Sequence, residues 1–246
     1  MRFELQPLGY LSSCYKEKFA VPRQPGLVPA AQAQLTLLPP FNQADAVAGL
    51  DQFSHLWLTF VFHQNLAQGW KAKVRPPRLG GNQKMGVFAS RSSFRPNGLG
   101  LSVVRLERID LSQGVTLHLS DIDLVDGTPI VDIKPYLPWA DAHPDASAAW
   151  APEPPKPLRV IWSANALRQL QSLPDAKTYQ PLVEQVLAQN PKPAYQKPSR
   201  QRQYGMRLGA YDVGFVYRQS EVIEVTDLQA VAAHSKVIPK RRPTSS

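Results

Sequence analysis

One cysteine, Cys14, stands among 246 residues, so no disulfide can close within the chain, and no Cys/His grouping has zinc-ligand spacing. A reducing, cytoplasmic setting and a fold without metal are therefore expected. Acidic side chains are scarce as well, 19 against 28 lysines and arginines, for a formal net charge of +9. A field of that sign favours a polyanionic partner. No stretch approaches the ~18 consecutive apolar residues of a membrane span, and the first ten residues hold no apolar run of signal-peptide length. Also missing are the P-loop pattern G-x-x-x-x-G-K-[ST], a Rossmann glycine fingerprint and a G-x-S-x-G elbow. Nucleotide hydrolysis and ordinary dinucleotide chemistry lose ground accordingly.

Proline is abundant, 24 residues against 14 glycines, which favours short strands and stiff loops over long helices. Period-two apolar patterns predict strands near residues 3–11, 34–38, 55–62, 86–89, 101–109, 115–123 and 130–133, with one short helix at 44–50. Such a set points to a closed or nearly closed barrel. Residues 74–81, V-R-P-P-R-L-G-G, are expected to form an irregular loop. The Ala/Pro-rich stretch 141–157 has the composition of a semi-rigid linker. Beyond it, apolar residues three and four apart predict amphipathic helices at 164–173 and 179–189, followed by short strands at 205–208, 213–217 and 222–228. The expected fold is mainly β: a single-sheet barrel over residues 1–140, a small α+β domain over 158–238 and a basic tail at 239–246.

Positive charge is clustered. Residues 70–108 carry nine basic side chains and one acid, Glu107, and residues 192–207 carry five basic side chains and no acid. Separate basic blocks favour phosphate contact.

Three stretches hold the chemistry. In R-S-S-F-R-P-N-G-L-G-L-S (91–102), Arg91 and Arg95 flank small hydroxyl residues before a turn at Asn97-Gly98, an arrangement able to grip a carboxylate or phosphate. In D-I-D-L-V-D-G-T-P-I-V-D-I-K-P-Y (121–136), alternation puts Asp132 and Lys134 on one strand face, Pro135 ends the strand, and Tyr136 projects from it. Asp126-Gly127 is expected to turn a hairpin. In F-S-H-L-W-L-T-F-V-F-H-Q-N (53–65), His63 and Gln64 follow an apolar strand at a candidate pocket rim, whereas His55 reads as structural.

At these motifs the chain resembles the β-barrel tRNA methyltransferases that act on N6 of N6-threonylcarbamoyladenosine, beside the anticodon. The likeness runs through Y-K-E-K-F-A-V-P-R-Q-P-G-L-V (15–28), F-S-H-L-W-L (53–58), V-R-P-P-R-L-G-G-N (74–82), G-V-F-A-S-R-S-S-F-R-P-N (86–97) and D-L-V-D-G-T-P-I-V-D-I-K-P-Y-L-P (123–138). It covers roughly residues 1–145 strongly and the C-terminal part more weakly. The sequence departs from the family at Gly98-Leu99, where Pro-Ile is usual, and at Cys14, where proline is common.

The resemblance implies S-adenosylmethionine as cofactor, the tRNA anticodon stem-loop as partner, and a homodimer. It places cofactor contacts at Pro25, Gly26, Leu27, His63, Gln64, Arg91 and Leu101, and at the turn Asp123, Leu124, Val125 and Asp126. Asp132, Lys134 and Tyr136 become the catalytic candidates: a base or proton acceptor, a cation steadying developing negative charge, and a positioning phenol. RNA contacts are expected from Arg75, Arg78, Arg95, Asn97, Lys197, Arg200 and Arg202. The alternative is a non-catalytic RNA-binding or S-adenosylmethionine-sensing barrel. A DNA-binding regulator is disfavoured because residues 182–190 carry no lysine or arginine with which a helix could read bases.

Overall fold

Alternation dictates the first half of the molecule. In the computed structural model, which describes residues 3–192, 202–219 and 221–231, six strands close into an antiparallel barrel. They are β1 (Gly9–Ser13), β2 (Gln32–Leu37), β3 (His55–Val61), β6 (Leu99–Asp110), β7 (Thr116–Ser120) and β8 (Thr128–Pro135), and their order around the barrel is β1-β2-β7-β6-β3-β8. A two-stranded ribbon, β4 (Lys73–Val74) with β5 (Met85–Gly86), projects between β3 and β6 in the chain. Leu11, Leu35, Leu56, Leu58, Val104, Leu117 and Ile130 point inward and are buried. Each such side chain contributes about 1.5–3 kcal/mol, and a barrel this narrow is filled by them.

Two close approaches shape the wall. Gly9 faces the Thr36 carbonyl, which a Cβ would meet at 2.2 Å. Gly100 lies beneath the Phe60 ring, whose atoms would stand 2.2–2.8 Å from a Cβ, so only glycine lets that ring lie flat against β6.

The C-terminal sheet has the order β10-β11-β12-β9, from β9 (Arg159–Trp162), β10 (Gln203–Leu208), β11 (Tyr211–Gln219) and β12 (Val222–Ala230), with β9 parallel to β12. After the short helix α1 (Pro138–Asp141), helices α2 (Ala164–Gln171) and α3 (Ala176–Ala188) complete this module. Ser163 caps α2 by accepting the Ala166 N–H. The apolar stripe of α3, Tyr179, Leu182, Val183, Val186 and Leu187, is buried. Barrel and module share one continuous core: Tyr15 bridges to Leu208, Gly209 N donates to Cys14 O at 2.7 Å, and the rings of Phe19 and Phe215 stack.

The barrel and the α+β module agree with the predicted class, but several bounds move. The expected strand at 3–11 begins only at Gly9, because Phe3 and Leu5 are 80% and 56% exposed and have no strand beside them. The expected helix at 44–50 is two 3-10 turns, Ala44–Val47 and Leu50–Gln52, separated by Gly49 at φ 78. The strand expected at 86–89 is the two-residue β5 and a 3-10 turn, Val87–Ala89. The strand expected at 115–123 stops at Ser120, since Asp121 turns at φ 60. The loop at 74–81 is irregular apart from the end of β4 and one 3-10 turn, Pro77–Leu79. β9 had no counterpart among the expected strands. Lys197, Arg200 and the tail 239–246 lie outside the described residues.

Candidate active site

β3 leaves the barrel at its rim and runs directly into a tight turn, in which His63 N bonds Val61 O and Asn65 N bonds Phe62 O. Beside it lies the loop between β7 and β8. That loop is fastened to β1 from both sides: Ser13 Oγ donates to Leu124 O at 2.8 Å, Ser13 N donates to Asp126 Oδ1 at 2.8 Å, and Asp126 N donates to Tyr15 O at 2.8 Å. Between these two turns opens a cleft of about 250 Å³. Phe60 and Phe62, edge to face at 4.9 Å, give it an apolar wall, and Lys18, Arg23, His63 and Asp123 add charge and polarity. Lys18 Nζ fixes the opposite lip through Gln64 O at 3.0 Å and Asn65 Oδ1 at 2.8 Å.

Asp123 is the electrostatic centre of the cleft. Burial pushes its carboxyl up to about 6, against the opposing pull of the Ser102 hydroxyl, which donates to Oδ1, and of the Arg91 guanidinium. The group therefore titrates near physiological pH, as carboxylates at functional sites often do. His63 is pushed the other way, below the ordinary imidazole range, by burial and then by the Lys18 charge, so its ring is neutral at pH 7.

The expected cofactor residues other than Arg91 fall into four places. His63, Gln64, Asp123, Leu124 and Val125 line the cleft. Asp126 lies behind it, in an ion pair with Lys16 at 3.0 Å. Pro25, Gly26 and Leu27 form the neighbouring loop, tied to the same turn where Gly26 N meets Asp121 O at 3.5 Å. Leu101 is elsewhere: it pairs with Thr59 across β3 and β6 and stands 50% exposed on the outer wall.

Asp132, Lys134 and Tyr136 also occupy the outer wall. A bulge at Val131, where Thr59 faces Asp132 but Phe60 faces Ile130, reverses the inward-outward parity of β8. Ile130 stays buried while Asp132 and Lys134 face solvent, opposite Thr59 and Trp57. Tyr136 lies against Trp57 and His55, with ring centroids 5.9 and 6.3 Å away. The three predicted catalytic groups thus share one face, and none of them lines the cleft of the same chain.

The basic arm between β3 and β6 is partly committed to itself. Arg95 Nη1 donates to Ser90 O at 2.9 Å and Val87 O at 3.4 Å, so this guanidinium braces the 3-10 turn Val87–Ala89. Arg78 donates to the Glu153 carbonyl, Arg75 and Asn97 are exposed, and Arg202 lies over the Tyr204 ring at 5.1 Å. The turn braced by Arg95 holds Phe88 in solvent, 74% exposed.

Ser102, Lys18, Arg23 and Phe60 were not anticipated as site residues. Ser102 left a signal: it is a hydroxyl in the inward register of β6, two residues before the buried apolar Val104 and Leu106 positions begin. Lys18 left none, because its contacts lie 46 and 47 residues away.

Two buried acceptors, Gln24 Oε1 and Asp121 Oδ1, have no hydrogen-bond donor among the described residues. Gln24 follows the cleft residue Arg23 and Asp121 lies two residues before Asp123, but neither lines the cleft, whose own acceptor for a ligand's N–H or O–H groups is the Asp123 carboxylate. Among the described residues no group of three or more His, Cys, Asp or Glu gathers in the manner of a metal site, and no helix is long and apolar enough to cross a membrane.

The molecule is a closed barrel with a cleft on its rim and a cation-rich arm between β3 and β6, and comparison with known proteins specifies its class. Residues 10–142 match the tRNA-methyltransferase O N-terminal domain, and residues 155–231 match the TrmO C-terminal domain. The chain belongs to the tRNA-methyltransferase O family. It is 54% identical over 200 residues to the tRNA (adenine(37)-N6)-methyltransferase of Escherichia coli, covering 79% of this chain and 84% of that protein. It is 52% identical over 231 residues to RcsF of Pseudomonas aeruginosa, named as an S-adenosylmethionine-dependent methyltransferase, covering 93% of this chain and 98% of that one. The crystal structure of TrmO from Pseudomonas aeruginosa superposes with a TM-score of 0.79 at 44% identity, over 94% of this chain and 99% of that chain.

Proposed function

We propose that this protein is an S-adenosylmethionine-dependent tRNA methyltransferase that methylates N6 of adenosine 37, acting on the N6-threonylcarbamoyl form of that base. The observation that carries the reading is the rim cleft. Its lining joins the buried Asp123 carboxyl to the apolar rings of Phe60 and Phe62, in a chain whose relatives are named for this reaction.

Asp123, His63, Gln64 and the main chain of Pro25, Gly26 and Leu27 would hold the cofactor, with Phe60 and Phe62 giving it an apolar wall. Bound S-adenosylmethionine supplies an already activated methyl group on a sulfonium. The residues have to deal with the acceptor nitrogen, whose attached carbonyl withdraws its lone pair and acidifies its N–H. In this reading Asp132 would accept or orient that proton, Lys134 would steady the anionic charge that develops, and Tyr136 would position the base or the threonyl carboxylate.

These three groups stand on the outside of the barrel wall, whereas the cleft opens at its rim. A cleft of about 250 Å³ is also smaller than the ~300–1,000 Å³ of typical ligand sites. Both facts favour a site completed by a second copy of the chain, with the outward-facing strip of exposed Leu101 and half-buried Trp57, Val103 and Tyr136 available for a two-fold contact. Such an enzyme works where tRNA is modified, in the cytoplasm. The basic arm and the basic residues of the C-terminal module would grip the anticodon stem-loop through phosphates, and the exposed Phe88 ring would stack on an unpaired base.

The direct test is mass spectrometry of tRNA nucleosides after incubation with the protein and isotopically labelled S-adenosylmethionine, using tRNA with and without the threonylcarbamoyl group. Label appearing only in the pre-modified adenosine is the expected result. Transfer to unmodified adenosine alone, or no transfer, would refute the assignment.

A further inference from the structure

Helix α3 does more than close the C-terminal sheet. Its buried stripe faces its own module, but Gln185 and Gln189, one turn apart and only half-buried, reach out to the loop before β2. Gln185 Oε1 accepts the Ala30 N–H at 2.9 Å, and Gln189 Nε2 donates to Leu27 O at 3.3 Å. The loop needs such support. It has no strand partner until Gln32, Gly26 turns it at φ 76, and its own tie to the barrel through Gly26 N and Asp121 O is long, at 3.5 Å.

We infer that the C-terminal module is a positioning element for the methyl-donor loop: Gln185 and Gln189 fix the main-chain path of Pro25, Gly26 and Leu27 from the side opposite the barrel. The inference rests on the reading of those three residues as cofactor contacts. Ordering two long side chains has an entropic cost, and the helix stripe already secures the module's own packing. Their hydrogen bonds end on the loop's main chain, so what they restrict is the loop. A loop that samples other paths lowers apparent ligand affinity by the fraction of time it spends out of place.

The two contacts run in opposite senses, one side chain accepting and the other donating, and this gives a specific test in the full-length protein. Calorimetric titration with S-adenosylmethionine should show affinity reduced about three- to tenfold in Gln185→Ala and in Gln189→Ala, the equivalent of one net hydrogen bond. Gln185→Glu keeps an acceptor for the Ala30 N–H and should retain wild-type affinity. Gln189→Glu sets a carboxylate against the Leu27 carbonyl and should lose at least as much as the alanine variant. Amide exchange at Ala30 should quicken in Gln185→Ala and not in Gln185→Glu, a readout that does not depend on ligand. Affinity for tRNA, by fluorescence anisotropy, should be unchanged throughout.

Equal effects of glutamate at both positions, unaltered donor affinity in the double alanine variant, or a parallel fall in tRNA affinity would overturn the inference. Gly26→Val, strained at that positive φ, separates the two levels. If it leaves donor affinity intact, the cofactor reading of the loop fails. If it weakens donor binding while the glutamine variants do not, only the positioning role fails.

Discussion

The cleft concentrates its chemistry in one carboxylate, and the cost of burying it can be measured. Asp123 is raised to about 6 from 3.8, so the folded protein holds this proton more tightly than the unfolded chain. The contribution of this group to stability is therefore fullest below pH 4 and declines as pH rises through 6. Asp123→Asn removes that penalty: at pH 7.5 it should stabilise the ligand-free protein by about 3 kcal/mol, with the gain vanishing near pH 4, as thermal unfolding across that range will show. The same variant should lose most of its affinity for S-adenosylmethionine. If it is less stable than wild type at pH 7.5, the carboxylate is not the strained group described here. At this scale the sequence was legible where a motif is short and local. His63 and Gln64 were expected at a pocket rim and Asp123 among the cofactor contacts, and all three line the cleft, whereas Arg95, expected to contact RNA, has its guanidinium bracing a turn. A side chain's charge is visible in a sequence, and whether the main chain has already claimed it is not.

Strand and loop geometry decides which of these residues can meet. The strand positions of Asp132 and Lys134 follow from alternation, but the bulge at Val131 that keeps Ile130 inward while turning Asp132 outward is a register event between β3 and β8, invisible in either strand alone. Gly100 is a similar case: it reads as a weak strand residue until the Phe60 ring is seen lying on it. Gly100→Ala should push that ring into the cleft, lowering donor affinity about tenfold and stability by about 1–3 kcal/mol. Calorimetry and thermal denaturation will test both, and a variant with wild-type affinity would show that Phe60 is not part of the cleft wall. The arm is legible in composition and opaque in shape, because its rigidity comes from Ser90 and Arg95 closing on the 3-10 turn under Phe88. Phe88→Ala should weaken anticodon stem-loop binding about 5- to 100-fold, the range for one stacked base. Phe88→Trp should restore it and Phe88→Leu should not, with the salt dependence the same in all three. Rescue by leucine would indicate apolar packing in place of stacking.

Across the whole molecule the rim cleft and the proposed catalytic groups Asp132, Lys134 and Tyr136 on the outer wall lie apart, and this has a consequence that no single-residue experiment captures. If cleft and outer-wall triad act within one chain, a protein lacking Asp123 and a protein lacking Asp132 are each dead, and mixing them changes nothing. If each cleft works with the triad of a second copy, a mixed dimer of Asp123→Asn and Asp132→Asn subunits contains one site in which both aspartates are intact and one in which both are missing. Random mixing makes half of the dimers mixed, with one good site of two, so methyl transfer to tRNA should return to about a quarter of the wild-type rate after co-refolding or subunit exchange. Leu101→Asp, which sets a charge in the exposed apolar strip of β3 and β6, should abolish that recovery and give a monomer by light scattering, while leaving the barrel core, to which Leu101 does not contribute, folded. Failure of the mixed protein to recover activity, with dimers demonstrably present, would require the chemistry to pass around the barrel rim of a single chain.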